Sequence, residues 1–353
     1  MNLLKQYIPP KAESPFTEDT ERLGFSLEMY EDDILRTDLS RVSNSMASLS
    51  EDDTRWLQEV RQTTGVCSLL ESMTEAVRLN QEFLTRVSNS AQLSGSVPGF
   101  NNENLSSRVR ALPWAVAREW GSENNLEPER EAVYSSILSA LKKNLICGKI
   151  LVPGTSFSRL QYEISSLGFE SLGVEFDMLR LIVTDLIFSG NSARLTPYVL
   201  ETCNRVQAND NTREVVVPDI QVEADVLRRM TIVGGELSES ASKMEDNEFD
   251  GIATSFFLDT TSDVRSYVSI FSRVLKPGGI WVNCGPLQYH YPTERSVLSP
   301  GRSPSLDELK SIIEQSGFEF LEQRFLETEY MGNGLSMMST KIKCFFFVAR
   351  LKD

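Results

Sequence analysis

The chain has 353 residues, of which 41% are hydrophobic and 24% are charged, a balance typical of a folded globular protein. This length allows roughly one to three domains, and we expect about two. The formal net charge of −15 opposes binding to phosphate backbones and to anionic lipid surfaces. We therefore expect no nucleic-acid partner and no membrane partner.

The five cysteines are far apart in the chain, and none of them belongs to a CxxC pair. This distribution argues against a disulfide framework and against a zinc site, so we predict a reducing compartment and no bound metal. The first residues lack the apolar core of a signal peptide, and no run approaches the roughly 20 apolar residues of a membrane helix. We expect a cytoplasmic protein, with the nucleus as a further compartment.

The N-terminal part of the chain is predicted to be mainly helical. Residues 1–20 are rich in Pro, Glu, Ser and Thr and should form a flexible arm. Residues 21–145 should form a helical region, because apolar residues within 71–87 recur at steps of three and four. Ser, Asn and Gly dominate 88–108, which predicts a surface loop. A further helix follows Pro128, with acidic residues in its first turn and lysines in its last.

From Lys149 onward, short apolar runs alternate with helical segments, which is the pattern of βαβ units. The runs are KILVP, SLGVEF, TIVGG, DGIATSFF and IWVNCG. A capping box of Ser305 and Glu308 begins a late helix that Gly317 ends. FEFLEQRF and KCFFFVAR then follow without a crossover helix, which favours an antiparallel pair. We predict that residues 146–353 form an α/β domain with a largely parallel sheet covered by helices.

Two features of the first βαβ unit are typical of a nucleotide site. The turn PGTSFSRL follows the first strand, and Glu175 ends the second strand about 21 residues after Gly154. In a Rossmann-like fold such a turn brings backbone N–H groups to the ligand, and an ionised carboxylate accepts hydrogen bonds from two ribose hydroxyls. Any βαβ unit has a turn and often an acid, so a purely structural role stays open.

The string LKPGGIWVN, 275–283, is typical of class I methyltransferases, and six further motifs narrow the resemblance. In chain order these motifs are LNQEFL, REW, LVPG, IATSFFLDT, GPLQYH and LSMM. With them the chain, from about residue 25 to its end, resembles the carnosine N-methyltransferase family, which has the N2227-like domain. The resemblance implies a Rossmann-like sheet of seven strands, S-adenosylmethionine (SAM) as the cofactor and a homodimer. It also implies methyl transfer to an imidazole nitrogen of a small histidine-containing peptide.

The resemblance assigns a cofactor site to five residues. Arg118 would bind the methionine carboxylate of SAM, and Glu175 would bind its ribose. Glu236 would lie beside the adenine. Gly154 and Ser255 would complete the site. Without the resemblance, Arg118 could form a surface ion pair, and Glu236 could be a solvated loop acid.

The resemblance assigns the substrate site to Asp259, Tyr289 and His290, which is the only histidine of the chain. Asp259 and His290 would be catalytic. A carboxylate that accepts one imidazole N–H fixes the tautomer that leaves a lone pair on the other nitrogen. That nitrogen can attack the methyl group in line, so catalysis would be mostly positioning. Asp259 could instead merely cap the helix that begins near Ser262.

The chain departs from the family pattern at three places. Its counterpart of a G-x-G-x-G turn keeps only Gly154, and serines stand at 156 and 158. Ala115 replaces a glutamine, and Thr340, Lys341 and Ile342 replace tyrosines that help form the substrate pocket. Two alternatives therefore stay open. One is a weak or inactive methyltransferase-fold protein that serves as a binding module, and the other is a methyltransferase with a different small-molecule acceptor.

Overall fold

The computed structural model describes residues 17–64, 68–91, 103–122, 127–261, 263–289, 303–330 and 332–352. Helices make up its N-terminal part, together with a π-helical turn at Leu35–Leu39. They are α1 (Thr17–Glu28), α2 (Tyr30–Ile34), α3 (Ser40–Ala47), α4 (Glu51–Thr64), α5 (Leu69–Ser90), α6 (Glu103–Trp120) and α7 (Glu127–Asn144). None of the helices in the described ranges is long and apolar enough to cross a membrane.

Two predicted boundaries in this helical part are wrong. Helix α1 begins at Thr17, so the last residues of the predicted arm are helical, while residues 1–16 lie outside the described part of the chain. Helix α5 continues to Ser90 and α6 begins at Glu103, so both ends of the predicted loop at 88–108 are helical. The reason is burial, because Val87 and Ser88 pack against the core and extend the inner face of α5.

The rest of the chain alternates strands and helices. The strands are β1 (Lys149–Pro153), β2 (Glu170–Glu175), β3 (Ala193–Leu195), β4 (Val215–Val217), β5 (Met230–Gly234), β6 (Phe249–Ser255), β7 (Leu275–Gly285), β8 (Phe318–Glu329) and β9 (Lys341–Leu351). The helices are α8 (Arg159–Ser166), α9 (Met178–Phe188), α10 (Ala224–Leu227), α11 (Leu237–Ala241), α12 (Val264–Val274) and α13 (Leu306–Gln315).

Seven strands form one sheet in the order β5-β2-β1-β6-β7-β9-β8. The pairs from β5 to β7 are parallel, and β9 is antiparallel to both of its neighbours. The predicted α/β fold is therefore confirmed, with its mostly parallel seven-stranded sheet and its N-terminal helical region. The strand order reverses at β1, because β2 and β5 lie on one side of β1 while β6 and β7 lie on the other.

Alternation along the strands divides the core between the two faces of the sheet. Trp281 of β7 packs edge-on against Phe271 and Phe347, each with its ring centre 4.9 Å away. Its neighbours Ile280 and Val282 point to the other face, where they pack with the inner side of α7. Helices therefore cover both faces of the sheet.

The segment between α9 and β5 was not foreseen, because it lacks a clear periodicity. It contains the two-stranded antiparallel sheet of β3 and β4. The fully buried side chain of Asn80 on α5 binds the backbone of Thr196 in this segment from both sides. Its amide donates to the Thr196 carbonyl at 3.0 Å and accepts from the Thr196 N–H at 2.8 Å. The LNQEFL motif thus fastens the helical region to the sheet domain.

Asp219 joins three helices through buried charges. Its carboxylate contacts Arg130 of α7 at 2.8 Å and also pairs with Arg159 of α8. Its backbone N–H donates to the carbonyl of Trp120 at the end of α6, 2.8 Å away. The Arg159 guanidinium lies 4.7 Å from the ring centre of Trp120. This network holds α6, α7 and α8 together.

We expect Asp219→Ala to lower the free energy of unfolding by about 3–5 kcal/mol, because two buried guanidinium groups would lose this carboxylate. Urea unfolding measures the loss as a lower midpoint at an unchanged slope. Glu214→Ala is the matched control, since it breaks an exposed pair with Arg194, and its expected effect is below about 0.5 kcal/mol. Equal losses in the two variants would contradict the role given to Asp219.

Candidate functional site

A cavity of about 350 Å³ lies at the carboxyl ends of β1 and β6. Ligands of open α/β sheets bind at this position, where the strand order reverses. Three of the residues that the sequence assigned to the cofactor, Arg118, Gly154 and Ser255, line the cavity together. Helices α6 and α7 form its far wall, so the N-terminal helical region contributes directly to the site.

The loop after β1 has left-handed backbone at all three positions of the expected glycine pattern. The φ angles are +64° at Gly154, +54° at Ser156 and +60° at Ser158. A Cβ atom at Gly154 would lie 2.5 Å from the Phe257 ring, so this position requires glycine. The serines adopt the loop conformation in spite of their side chains, at a strain of about 1 kcal/mol each.

Glu175, at the end of β2, holds this loop in place. One carboxylate oxygen accepts the N–H of Ser156 at 2.8 Å, and the other accepts the N–H of Asp177 at 2.9 Å. Burial raises the pKa of Glu175, although the charge of Arg180 and these two N–H groups act to lower it. An ionised carboxylate has about four acceptor positions, so Glu175 keeps capacity for two hydroxyl donors.

Glu236 is exposed and stands just beyond the end of β5, next to Glu175. The two strands are in register from Ser171 to Glu175, and the N–H of Gly235 donates to the Glu175 carbonyl at 2.9 Å. Phe176 follows Glu175 directly in the chain, and its side chain is 60% exposed although it is a large aromatic. The rim of the site beside β2 and β5 therefore offers two carboxylates and an exposed aromatic ring.

Arg118 lies within the cavity, so its interpretation as a surface ion pair is wrong. Its Nε is 2.8 Å from Oε1 of Glu129, a buried acid in the first turn of α7. The guanidinium also lies 5.6 Å from the Phe256 ring centre and 5.8 Å from that of Tyr330. Burial is the largest single effect and acts to lower the pKa of Arg118, but the charge of Glu129 together with those of neighbouring groups such as Glu119 outweighs it, so the pKa is raised.

Asp259 is buried in the 3₁₀ turn Leu258–Thr260, directly after β6. Its Oδ2 accepts the N–H of Gln288 at 2.9 Å, which ties the GPLQYH segment to this turn. The alternative role of Asp259 as a helix cap is wrong, since Asp263 caps α12 by accepting from the N–H of Ser266.

The other two residues assigned to the substrate give less information. Tyr289 is described, and its hydroxyl donates to the carbonyl of Pro304 at 2.5 Å. His290 lies outside the described residues. The substrate roles of Asp259, Tyr289 and His290 stay predictions.

Several charged and aromatic residues that the sequence did not assign to the site also line the cavity, among them Glu129, Arg180 and Tyr330. Glu129 was interpreted only as an acid at the positive end of a helix. Its distance of eleven residues from Arg118 carried no signal, because the turn between α6 and α7 decides that the two meet. Among the described residues, no group of three or more His, Cys, Asp and Glu is arranged to hold a metal ion.

Residues 100–353 match the family model described as carnosine N-methyltransferase. The chain belongs to this family. Among curated relatives, the carnosine N-methyltransferase of Dictyostelium discoideum is 28% identical over 85% of this chain and 69% of its own length. That of Mus musculus is 30% identical over 71% of this chain and 64% of its own length. The chain thus spans about two thirds of the length of these relatives.

A solved SAM-dependent methyltransferase from Methanosarcina mazei is 16% identical, with a TM-score of 0.37, and the match covers 60% of this chain and 97% of that one. The predicted family and the predicted class, a methyltransferase, are confirmed by the family match and the curated relatives.

We expect Ser156→Gly to raise the free energy of unfolding by about 0.5–1 kcal/mol relative to Ser156→Ala, because glycine adopts the left-handed φ without the Cβ strain. Both variants remove the same hydroxyl, and both keep the N–H that binds Glu175. Urea midpoints measured side by side check the difference. Equal midpoints for the two variants would show that the loop carries no such strain.

Proposed function

We propose that this chain binds SAM in the cavity at β1 and β6 and transfers its methyl group to an imidazole nitrogen of a small histidine-containing peptide of the carnosine type. The observation that carries the proposal is that four features lie at or beside the carboxyl ends of the neighbouring strands β1, β2 and β6. They are the left-handed loop at Gly154, the buried carboxylate of Glu175, the caged guanidinium of Arg118 and the buried carboxylate of Asp259.

The residues present fit the cofactor. Arg118 matches a carboxylate, and the remaining acceptor positions of Glu175 match the two ribose hydroxyls. Phe176 and Glu236, at the rim beyond Glu175, would face the adenine. Gly154 provides the left-handed turn that starts the loop, and its missing side chain leaves room for the Phe257 ring. SAM, when bound, supplies an electrophilic methyl group on a sulfonium sulfur.

We assign the binding and orientation of the acceptor imidazole to Asp259. Its carboxylate accepts one imidazole N–H and so leaves the lone pair on the other ring nitrogen. With SAM bound, this nitrogen would form its bond to the methyl carbon as the carbon–sulfur bond of SAM breaks, and the ring would become a cation. Asp259 stabilises that cation through the N–H it already holds, and the proton later passes to solvent. The rate gain comes mainly from orientation, which needs no strong base.

A methyltransferase with a different small-molecule acceptor is the second candidate. The replaced tyrosines favour it, because Thr340, just before β9, and Lys341, its first residue, are both exposed. The Thr340 carbonyl accepts the N–H of Tyr330 at 2.8 Å. The aromatic ring of Tyr330 beside Arg118 thus comes from the residue directly after β8, which changes the shape available to an acceptor.

Calorimetric titration with SAM and with S-adenosylhomocysteine (SAH) tests the cofactor. We expect micromolar binding that is lost in Glu175→Ala and kept in Glu170→Ala, which changes an exposed acid at the first position of the same strand. Absence of binding up to millimolar ligand would overturn the proposal and leave an inactive binding module. Binding without turnover of carnosine would select the second candidate.

SAH affinity should fall as the pH is lowered toward the folded pKa of Glu175, which lies above the ordinary value of 4.5. The protonated carboxyl has fewer acceptor positions for the ribose. Unfolding should show the opposite sign, since an acid whose pKa is raised by folding makes the free protein more stable as the pH falls through this window. Glu175→Gln should lose both dependences in titrations from neutral pH downward, and an unchanged profile would exclude Glu175.

Asp259→Asn should lower kcat for methyl transfer by about 100- to 1,000-fold, because the amide cannot accept the imidazole N–H equally well or stabilise the ring cation. The dissociation constant for SAH should stay within about twofold, since Asp259 is assigned to the acceptor. Asp263→Asn, which alters the cap of α12 a few residues away, is the matched control for a purely structural effect. A kcat equal to that of the control would remove Asp259 from the mechanism.

A further inference from the structure

Glu129 has a buried carboxylate oxygen that the surrounding protein leaves unsatisfied. Its side chain is buried, and its Oε2 accepts the N–H of Gly332 at 3.2 Å. Its Oε1 lies 2.8 Å from Arg118 Nε, yet it accepts no hydrogen bond of acceptable geometry from any residue that the structure describes. A buried acceptor without an aligned donor is costly, and such atoms concentrate where a ligand supplies the donor.

The contact between Glu129 and Arg118 does not have the geometry of a purely structural ion pair. A buried pair offsets its loss of hydration only if its hydrogen bonds are well aligned. Here the charges are adjacent, but the guanidinium is held by aromatic rings, including those of Phe256 and Tyr330. Both charged groups line the same cavity. The pair therefore presents a cation and an anion side by side toward the same space.

A free amino-acid end, with one carboxylate and one ammonium on the same carbon, is complementary to such a pair. The guanidinium of Arg118 offers N–H donors to the carboxylate. The unsatisfied Oε1 of Glu129 offers an acceptor to the ammonium, and a charge-assisted hydrogen bond in a buried site is stronger than a neutral one. The cavity also has the loop that would hold the nucleoside end of the same ligand.

We propose that Glu129 binds the α-ammonium group of the methionine end of the cofactor, beside the carboxylate held by Arg118. This inference rests on the proposed function, because it presumes that SAM or SAH occupies the cavity. It makes Glu129 a ligand-binding residue as well as the counterion of Arg118. The N–H of Gly332 on Glu129 Oε2 also connects the amino-acid end to the segment between β8 and β9, which carries Tyr330.

Three ligands separate the possible roles of Glu129. They are SAH, an SAH analogue in which hydrogen replaces the α-amino group, and 5′-methylthioadenosine, which lacks the whole amino-acid end. We expect wild-type protein to bind SAH about 10-fold or more tightly than the desamino analogue, as for a lost hydrogen bond between charged groups. Glu129→Gln should bind these two ligands about equally, with unchanged affinity for 5′-methylthioadenosine.

Two other outcomes would contradict either this inference or the proposed function. If Glu129→Gln weakens SAH and the desamino analogue by the same factor, Glu129 acts only by positioning Arg118, and the inference fails. If wild-type protein binds none of the three ligands, the proposed function fails and takes the inference with it. Binding of 5′-methylthioadenosine by the variant shows that its cavity is folded.

Glu129→Asp and Glu319→Gln complete the test. Glu129→Asp keeps the charge on a shorter side chain, so this variant should retain part of the preference for SAH over the desamino analogue. It replaces Glu129→Gln in the test if the glutamine variant does not fold. Glu319 pairs with Arg350 at a half-exposed position of β8, so its change to glutamine should alter none of the three affinities. A preference for SAH that is the same in wild type and in both Glu129 variants would contradict the inference.

Discussion

The site depends on one interaction, the hydrogen bond from the backbone N–H of Ser156 to the buried carboxylate of Glu175. It fastens the loop after β1 to the end of β2 and offsets part of the strain of a left-handed serine. On the other side of the loop, Trp120 donates from its indole nitrogen to the carbonyl of Phe157 at 2.9 Å. The loop is thus held between the sheet and α6, and its shape no longer depends on glycine at every position.

The N-terminal helices are part of the site because buried polar contacts bring them to the sheet. Asn80 fastens α5 to the segment at Thr196, and Asp219 joins α6, α7 and α8. These contacts fix the end of α6 and the first turn of α7 at the wall of the cavity. Arg118 and Glu129 consequently face each other there, although neither belongs to the Rossmann-like domain.

The sheet could be predicted because each strand is an apolar run bounded by turn residues. KILVP and SLGVEF became β1 and β2, and Glu175 had to stand at the carboxyl edge because it lies near the end of its run. The loop predicted at 88–108 was wrong at both ends. Its serine-rich composition favours a loop, whereas burial of Val87 and Ser88 extends helix α5 into it. Strands β3 and β4 were missed, since three-residue strands are too short for alternation to show.

The sequence by itself determined the family, the α/β class and the residues at the ends of β1, β2 and β6, because these follow from local order along the chain. It also showed that serines replace two glycines of the loop. Only the tertiary structure decided that the serines keep the left-handed conformation, that Asp259 does not cap a helix, and that Glu129 reaches Arg118. The physical reason is that these facts depend on backbone angles and on contacts across elements, which residue spacing does not encode.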